Sequence, residues 1–90
     1  MEFEWDPDKA AVNLEKHGVS FSEAATALAD LLSITYYDPD HSGEEDRYIT
    51  IGTPAYDHLL IVSHADRDDR YRIVSARKVN LRERKLYENG

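Results

Sequence analysis

Residues 70–77 read RYRIVSAR, a segment in which residues typical of a β-strand alternate with arginine. Arg70, Arg72 and Arg77 lie within this segment, and Arg67 precedes it. A guanidinium group stays charged at any working pH, and its planar fork of donors suits two phosphate oxygens at once. If folding gathers Arg67, Arg72 and Arg77 on neighbouring strands, we expect them to form a phosphate-binding surface.

The alternation of side chains along a strand limits this prediction. Arg72 and Arg77 are an odd number of positions apart, so they are expected on opposite faces unless a bulge intervenes. In the alternative interpretation, the arginines only pair with nearby acids at the solvent surface. Those acids are Asp66, Asp68 and Asp69.

A second group of candidate residues lies on the first predicted helix. Lys9, Asn13, Lys16 and His17 have the spacing of neighbours along one polar helix edge. A histidine there can give or take a proton near neutral pH. The alternative is a helix-terminal histidine that only satisfies the last carbonyl groups.

The other histidines give weaker indications of a functional site. His64 shares a predicted strand face with apolar residues and is interpreted as a partly buried core histidine. His41 and His58 lie in predicted turns and carry no signal alone. Tyr87, on a last helix that also carries arginine and lysine, is a candidate to stack on an exposed base.

No metal or cofactor site is predicted. The segment DPDHSGEED begins like a calcium-binding loop, but Ile49 stands where a bidentate glutamate is required. The chain has no cysteine, so no thiolate is available as a ligand.

Length and charge describe a small acidic chain with an uneven charge distribution. Its 90 residues predict a single domain over 1–90, and the net charge is −7. Residues 1–46 carry a net charge of −10, whereas residues 47–90 carry +3. The chain contains neither an apolar run that could span a bilayer nor a signal-peptide pattern, which favours a soluble cytoplasmic protein.

The predicted elements position these groups in an α+β domain. Asp6 and Pro7 begin a helix that ends near Gly18, and Ser20 with Glu23 forms a capping box for a second helix ending near Asp30. Strands then follow over 33–38, 47–52, 58–65 and 71–78, with a helix over 80–88 and a possible short strand over 3–6. The prediction is two N-terminal helices, a four-stranded antiparallel sheet and a C-terminal helix.

Three segments carry a family resemblance. FEWDPDKAAVNLEKHGVSFSEA closely resembles the N-terminal signature of the BrnT family of toxins. HSGEEDRYITIG and RIVSAR followed by ERKLYE resemble its middle and C-terminal signatures. The order and spacing agree over about residues 3–88.

The resemblance implies a RelE-like fold and a metal-independent endoribonuclease toxin that inhibits translation. In such enzymes the ribose 2′-hydroxyl attacks the adjacent phosphate, and basic side chains stabilise the developing charge. Arg67 and Arg77 would hold the phosphate with Arg72 in support, and His17 or Lys16 would transfer a proton or contact the phosphate.

The resemblance also implies partners. The cognate antitoxin would be a BrnA-like ribbon-helix-helix protein that neutralises the toxin. The complex would contact operator DNA only through this antitoxin. Two alternatives stay open: a catalytically inactive toxin-like module that serves only as antitoxin partner and co-repressor, and a structural α+β domain with unrelated binding.

Overall fold

The computed structural model describes residues 2–43, 45–54, 58–67 and 69–89, apart from the side chains of Leu86 and Asn89. The chain forms five strands and three helices within these ranges. In chain order they are β1 (Glu2–Glu4), α1 (Pro7–His17), α2 (Phe21–Leu28), β2 (Ile34–Tyr37), β3 (Arg47–Gly52), β4 (Leu60–Arg67), β5 (Arg70–Lys78) and α3 (Leu81–Asn89).

Local capping signals fix the ends of the first two helices as expected. The Asp8 N–H donates to Asp6 Oδ1 at 2.8 Å, and α1 ends at Gly18, whose φ of 70° suits glycine. The Glu23 N–H donates to Ser20 Oγ at 3.0 Å and so begins α2. The predicted helix boundaries here are confirmed to within two residues.

The sheet differs from the prediction in one strand. Its order is β1-β5-β4-β3-β2, and β1 joins β5 in parallel, so the sheet is mixed and five-stranded rather than antiparallel and four-stranded. The two helices therefore follow a strand rather than open the domain. Pairing between β1 and β5 is remote in sequence, and a three-residue strand gives little alternation to read.

The helices α1 and α2 cover one face of the sheet, which we call the sealed face. Phe21 of α2 is buried against Leu60, Val62 and Ile73 of the sheet. The backbones of α2 and β3 approach so closely that a Cβ on Gly52 would lie 2.4 Å from the Ala27 carbonyl oxygen. We call the opposite, uncovered surface of β3, β4 and β5 the open face.

Asn13 ties α1 to the edge of β5. Its Nδ2 donates to the carbonyl oxygens of Ala76 and Val19, at 2.8 and 2.9 Å, and its Oδ1 accepts from the Ala76 N–H at 3.1 Å. The side chain therefore has a structural role and is buried, although the sequence placed it on a polar helix edge.

Within the described ranges, no helix has the length and apolarity needed to cross a lipid bilayer.

Candidate functional site

A β-bulge at Val74 decides where the arginines of β5 lie. Ser75 pairs with Ser63 of β4, but Ile73 pairs with the adjacent His64, so Val74 has no partner in the β4–β5 ladder. Arg72 and Arg77 consequently pair with Ala65 and Ile61. These two β4 residues are four positions apart, so both arginines project from the same face of the sheet.

Arg47 of β3 joins this face. It also pairs with Ala65, so Arg47 and Arg72 flank one small residue in a row across three strands. At the usual strand spacing their Cα atoms are about 10 Å apart, and the Arg77 position is roughly 13 Å further along the sheet. Leu60, Val62 and His64 alternate with Ala65 and Ile61 and are buried on the sealed face, so the arginines occupy the open face.

Glu45 draws two arginines together at one end of the open face. Arg67 Nη2 and Nε each lie 2.9 Å from Glu45 Oε2. The hydrogen bond from Arg67 lowers the pKa of the Glu45 carboxyl, desolvation opposes this shift, and the positive charges of Arg67, Arg47 and Arg72 lower the pKa further. Arg47 Nε lies 3.5 Å from Glu45 Oε1, yet it is buried without a hydrogen-bond partner among the described residues.

Arg77 forms a two-pronged ion pair with α3. Its Nη1 and Nη2 donate to Glu83 Oε1 and Oε2 at 2.8 and 2.7 Å. This pair raises the pKa of Arg77 and lowers that of Glu83. The Asn80–Glu83 capping box at the start of α3 holds the carboxylate, since Asn80 N–H donates to Glu83 Oε1 at 2.9 Å and Glu83 N–H to Asn80 Oδ1 at 2.8 Å.

Two adjoining cavities connect these groups. One, of about 260 Å³, lies over the open face and is lined by Asp38, His41, Arg47, Ile49, Ile61, Ser63, Val74, Ser75 and Arg77. The other, of about 470 Å³, is lined by His41, Gly43, Glu45, Arg47 and Arg67. Arg47 and His41 line both, so the cavities form one concave region with arginine on each side.

The predicted α1 edge lies beside this region rather than inside it. Lys16 and His17 line a third cavity, of about 340 Å³, together with Val74 and Ser75 of the bulge. Val74 and Ser75 of the bulge also line the open-face cavity, so the two cavities adjoin at these residues.

Tyr87 lies elsewhere. Its hydroxyl donates to the Leu32 carbonyl at 3.4 Å, and it lines a cavity with Lys78 and Arg84 between α3 and the start of β4. That cavity shares no lining residue with those of the open face, so Tyr87 is not brought together with Arg67, Arg72 and Arg77.

The arginine partners were not foreseen. Among the described residues, Asp66 bonds His64, and Arg70 pairs with Glu2 and Glu4 of β1 rather than with the expected acids; Asp68 lies outside the described residues. Arg47 and Glu45 were missed as site residues. The signal was present, since Arg47 opens the strand predicted over 47–52, but sequence alone does not reveal which strand lies beside it.

His64 is fully buried in the core. Its Nε2 lies 2.7 Å from Thr50 Oγ1 and its Nδ1 2.8 Å from Asp66 Oδ1, with Tyr48 and Tyr71 on its two sides. Burial lowers the pKa of His64, while the hydrogen bond and charge of Asp66 oppose that shift. Both ring nitrogens are occupied, so this histidine is structural.

The open face therefore has the chemistry of an anion site. Fixed guanidinium donors at several positions can contact the oxygens of a phosphodiester and stabilise charge that develops on them. Arg47 lines both cavities, Arg77 lines one and Arg67 the other, and Glu45 and Glu83 form ion pairs with Arg67 and Arg77.

The sequence and the fold are similar to those of known proteins. The family model for the ribonuclease toxin BrnT of type II toxin–antitoxin systems matches residues 5–83. The 1.1 Å crystal structure of the Brucella abortus ribonuclease toxin BrnT is similar in fold, with a TM-score of 0.66. It shares 22% sequence identity, over 89% of this chain and 97% of that chain. No curated protein sequence matches.

The structural likeness supports the α+β fold, and the family model covers most of the chain, including the segments HSGEEDRYITIG and RIVSAR noted in the sequence. The chain belongs to the BrnT family of ribonuclease toxins of type II toxin–antitoxin systems.

Proposed function

We propose that this chain is a metal-independent endoribonuclease whose active site is the open face. The observation that supports it best is the Val74 bulge, which places Arg72 and Arg77 on the same face as Arg47. Without the extra residue, one of the β5 arginines would point into the sealed face. Family membership supplies the substrate class, since the family is one of ribonuclease toxins.

The proposed reaction is attack of a ribose 2′-oxygen on the adjacent phosphorus, with departure of the 5′-oxygen. Negative charge accumulates on the non-bridging oxygens in the transition state, and preorganised donors there are worth about 10²–10³ in rate each. Arg77 and Arg67 hold the phosphate, with Arg72 in support. Arg47, which lines both open-face cavities, adds a buried Nε donor that has no hydrogen-bond partner among the described residues.

The α1 edge extends this surface. Lys16 and His17 face the bulge from the other side, where they contact a neighbouring phosphate of the bound strand or transfer a proton. Tyr87 lies in a cavity separate from the open face, so we assign it to stacking on a base beyond the cleavage point.

Binding of RNA replaces two internal carboxylates. Glu83 engages Arg77 and Glu45 engages Arg67 in the free protein, so a phosphate must displace each of them. The exchange of one anion for another keeps the guanidinium groups paired throughout, which lowers its cost.

A BrnA-like ribbon-helix-helix antitoxin is the proposed partner. The family belongs to type II systems, in which toxin and antitoxin are both proteins. An acidic antitoxin segment would compete with RNA for the same arginines, and operator DNA would be contacted only through the antitoxin.

One observation favours the alternative of an inactive, partner-only module. Arg67 and Arg77 each form an ion pair with a carboxylate of the same chain. In this alternative the acids neutralise the site permanently, and the arginine surface serves to bind the antitoxin.

Incubation of the purified protein with single-stranded RNA in excess EDTA separates these functions. We expect cleavage that EDTA does not inhibit, products with 2′,3′-cyclic phosphate ends, and no cleavage of the matched DNA strand, which lacks the nucleophile. Intact RNA, together with tight binding of the protein encoded by the adjacent gene, would instead establish the partner-only role.

Expression in a bacterial host gives the corresponding cellular result. We expect growth arrest that co-expression of the adjacent gene reverses. Arrest without loss of intact RNA would contradict the proposed activity.

A further inference from the structure

The loop between β2 and β3 is held closed over one end of the open face. Asp38 N–H donates to the Arg47 carbonyl at 2.9 Å. The Ser42 hydroxyl donates to the Asp38 carbonyl at 2.7 Å and accepts from the Arg47 N–H at 2.9 Å. These contacts fix His41, which lies between Asp38 and Ser42 in sequence, beside the first residue of β3.

His41 is oriented by a buried carboxylate. Its Nδ1 lies 2.8 Å from Asp38 Oδ2, and the side chain of Asp38 is 9% exposed whereas that of His41 is 72% exposed. A carboxylate only accepts hydrogen bonds, so Nδ1 carries the proton and Nε2 carries the lone pair. Among the described residues Nε2 has no hydrogen-bond partner, so this nitrogen is available to a ligand.

His41 lines the cavities that the arginines line, whereas His17 lines a neighbouring one. His41 lines both open-face cavities, in company with Arg47 and Arg77 in one and with Arg47 and Arg67 in the other. His17 lines only the cavity on the far side of Val74 and Ser75. A phosphate held by the arginines therefore lies next to His41.

We propose that His41 is the general base of this site, held in the productive tautomer by Asp38. The inference rests on the proposed ribonuclease function and assigns its proton acceptor. His41 Nε2 takes the proton of the 2′-hydroxyl as the 2′-oxygen forms its bond to phosphorus. The bond from phosphorus to the 5′-oxygen breaks, and that oxygen takes a proton from water. The hydroxide so formed is neutralised by the proton that His41 returns to solvent, and the RNA ends as a cyclic phosphate and a 5′-hydroxyl.

The test is the pH dependence of kcat/KM for RNA cleavage by the full chain and its variants. His41→Ala should lose at least about 100-fold in kcat/KM and lose the acidic limb of the pH profile. Added imidazole should restore part of the activity of this variant, because the side chain it replaces is exposed. His41→Gln should show the same loss. Asp38→Asn should show a smaller loss with a displaced acidic limb, as expected of a positioning residue.

His58→Ala is the matched control. It removes an exposed imidazole from another loop and should keep the acidic limb of the parent. Circular dichroism of each variant verifies that it is folded.

Each contrary outcome has a distinct meaning. A His41→Ala variant within about threefold of the parent, with its acidic limb intact, would overturn the role of His41 and leave the ribonuclease function standing. Loss of the acidic limb in His17→Ala instead would transfer the base to α1 and overturn the proposal. Absence of cleavage by the parent protein would overturn both the ribonuclease function and the proposal.

Discussion

Two histidine–aspartate pairs, one on each side of the sheet, have the same separation and opposite properties. His64 Nδ1 and His41 Nδ1 each lie 2.8 Å from an aspartate oxygen. On the sealed face His64 is 1% exposed and its second nitrogen bonds Thr50. At the rim of the open face, the His41 imidazole is largely in solvent and its second nitrogen has no hydrogen-bond partner among the described side chains and backbone groups.

The contrast shows that the pairing of residue types does not by itself identify catalytic chemistry. Whether such a histidine is available for proton transfer depends on its second ring nitrogen and on the groups that surround it. Thr50 lies on the sealed face and fixes His64, whereas arginines surround the region that His41 faces. In the function proposed above, the sealed face stabilises the fold and the open face binds and cleaves RNA, and this division can be tested from either side.

Truncation of the core gives the largest expected effect. Phe21→Ala should lower the free energy of unfolding by about 3–5 kcal/mol, because a fully buried ring leaves a cavity between α2 and the sheet. Urea denaturation measures this loss. Val12→Ala, at an α1 position that is 61% exposed, is the control and should change the free energy by no more than about 0.5 kcal/mol. A loss below about 1 kcal/mol for Phe21→Ala would contradict the assignment of the core.

Removal of Arg77 should affect activity far more than stability. Arg77→Ala should lower kcat/KM for RNA by about 10²–10³. Its ion pair with Glu83 is partly exposed, so the loss in stability should stay near 1 kcal/mol. Arg84→Ala removes the same charge from an exposed pair on α3 and should retain activity. Toxicity equal to that of the parent in the Arg77 variant would place the site elsewhere.

Asn13 should behave as a structural residue even though it lies on the helix that carries Lys16. Asn13→Ala leaves the buried N–H and carbonyl of Ala76 without their partner, at a cost of about 1–3 kcal/mol for each group. We expect a lower urea midpoint with kcat/KM nearly unchanged at temperatures where the variant is folded. A variant that is as stable as the parent but inactive would move Asn13 into the active site.

The smallest effect should be a pH dependence that originates on the sealed face. Burial lowers the pKa of His64 below its usual value of 6.5, so the unfolded chain binds more protons than the folded one just below that value. Stability should therefore fall as the pH decreases from 6.5, before the lowered pKa of Glu83, normally 4.5, contributes. Urea midpoints at pH 7.0 and 5.5 measure this change, which His64→Gln should reduce. An unreduced change would mean that another group titrates.

Sequence reasoning succeeded where the signals are local. Asp6 and Ser20 cap helices because their side chains bond amides two and three residues away, and such spacings can be read directly. The strand over 47–52 was predicted at its observed bounds for the same reason. The family motifs spread over the chain and identified its class without any contact being known.

The parts that failed depend on pairing between distant strands. No local pattern shows that β1 adds to β5 in parallel, or that Val74 is an extra residue in its ladder. The bulge places Arg72 and Arg77 on the same face of the sheet, whereas regular alternation places them on opposite faces. The composition of the candidate site therefore depends on it. His41 carried no signal in the sequence, because its significance comes from a loop that closes over Arg47.

The side chain of Asn13 also bears on how the protein avoids association with other chains. Strands at the edge of a sheet offer unpaired amide and carbonyl groups that invite strand addition from a second molecule. β5 has β4 on one side, while β1 covers only Arg70 to Arg72 on the other. One amide side chain takes the place of a neighbouring strand at Ala76, by donating to its carbonyl and accepting from its N–H. Asn13 thus occupies backbone groups at this edge that a strand of a second molecule could otherwise pair with.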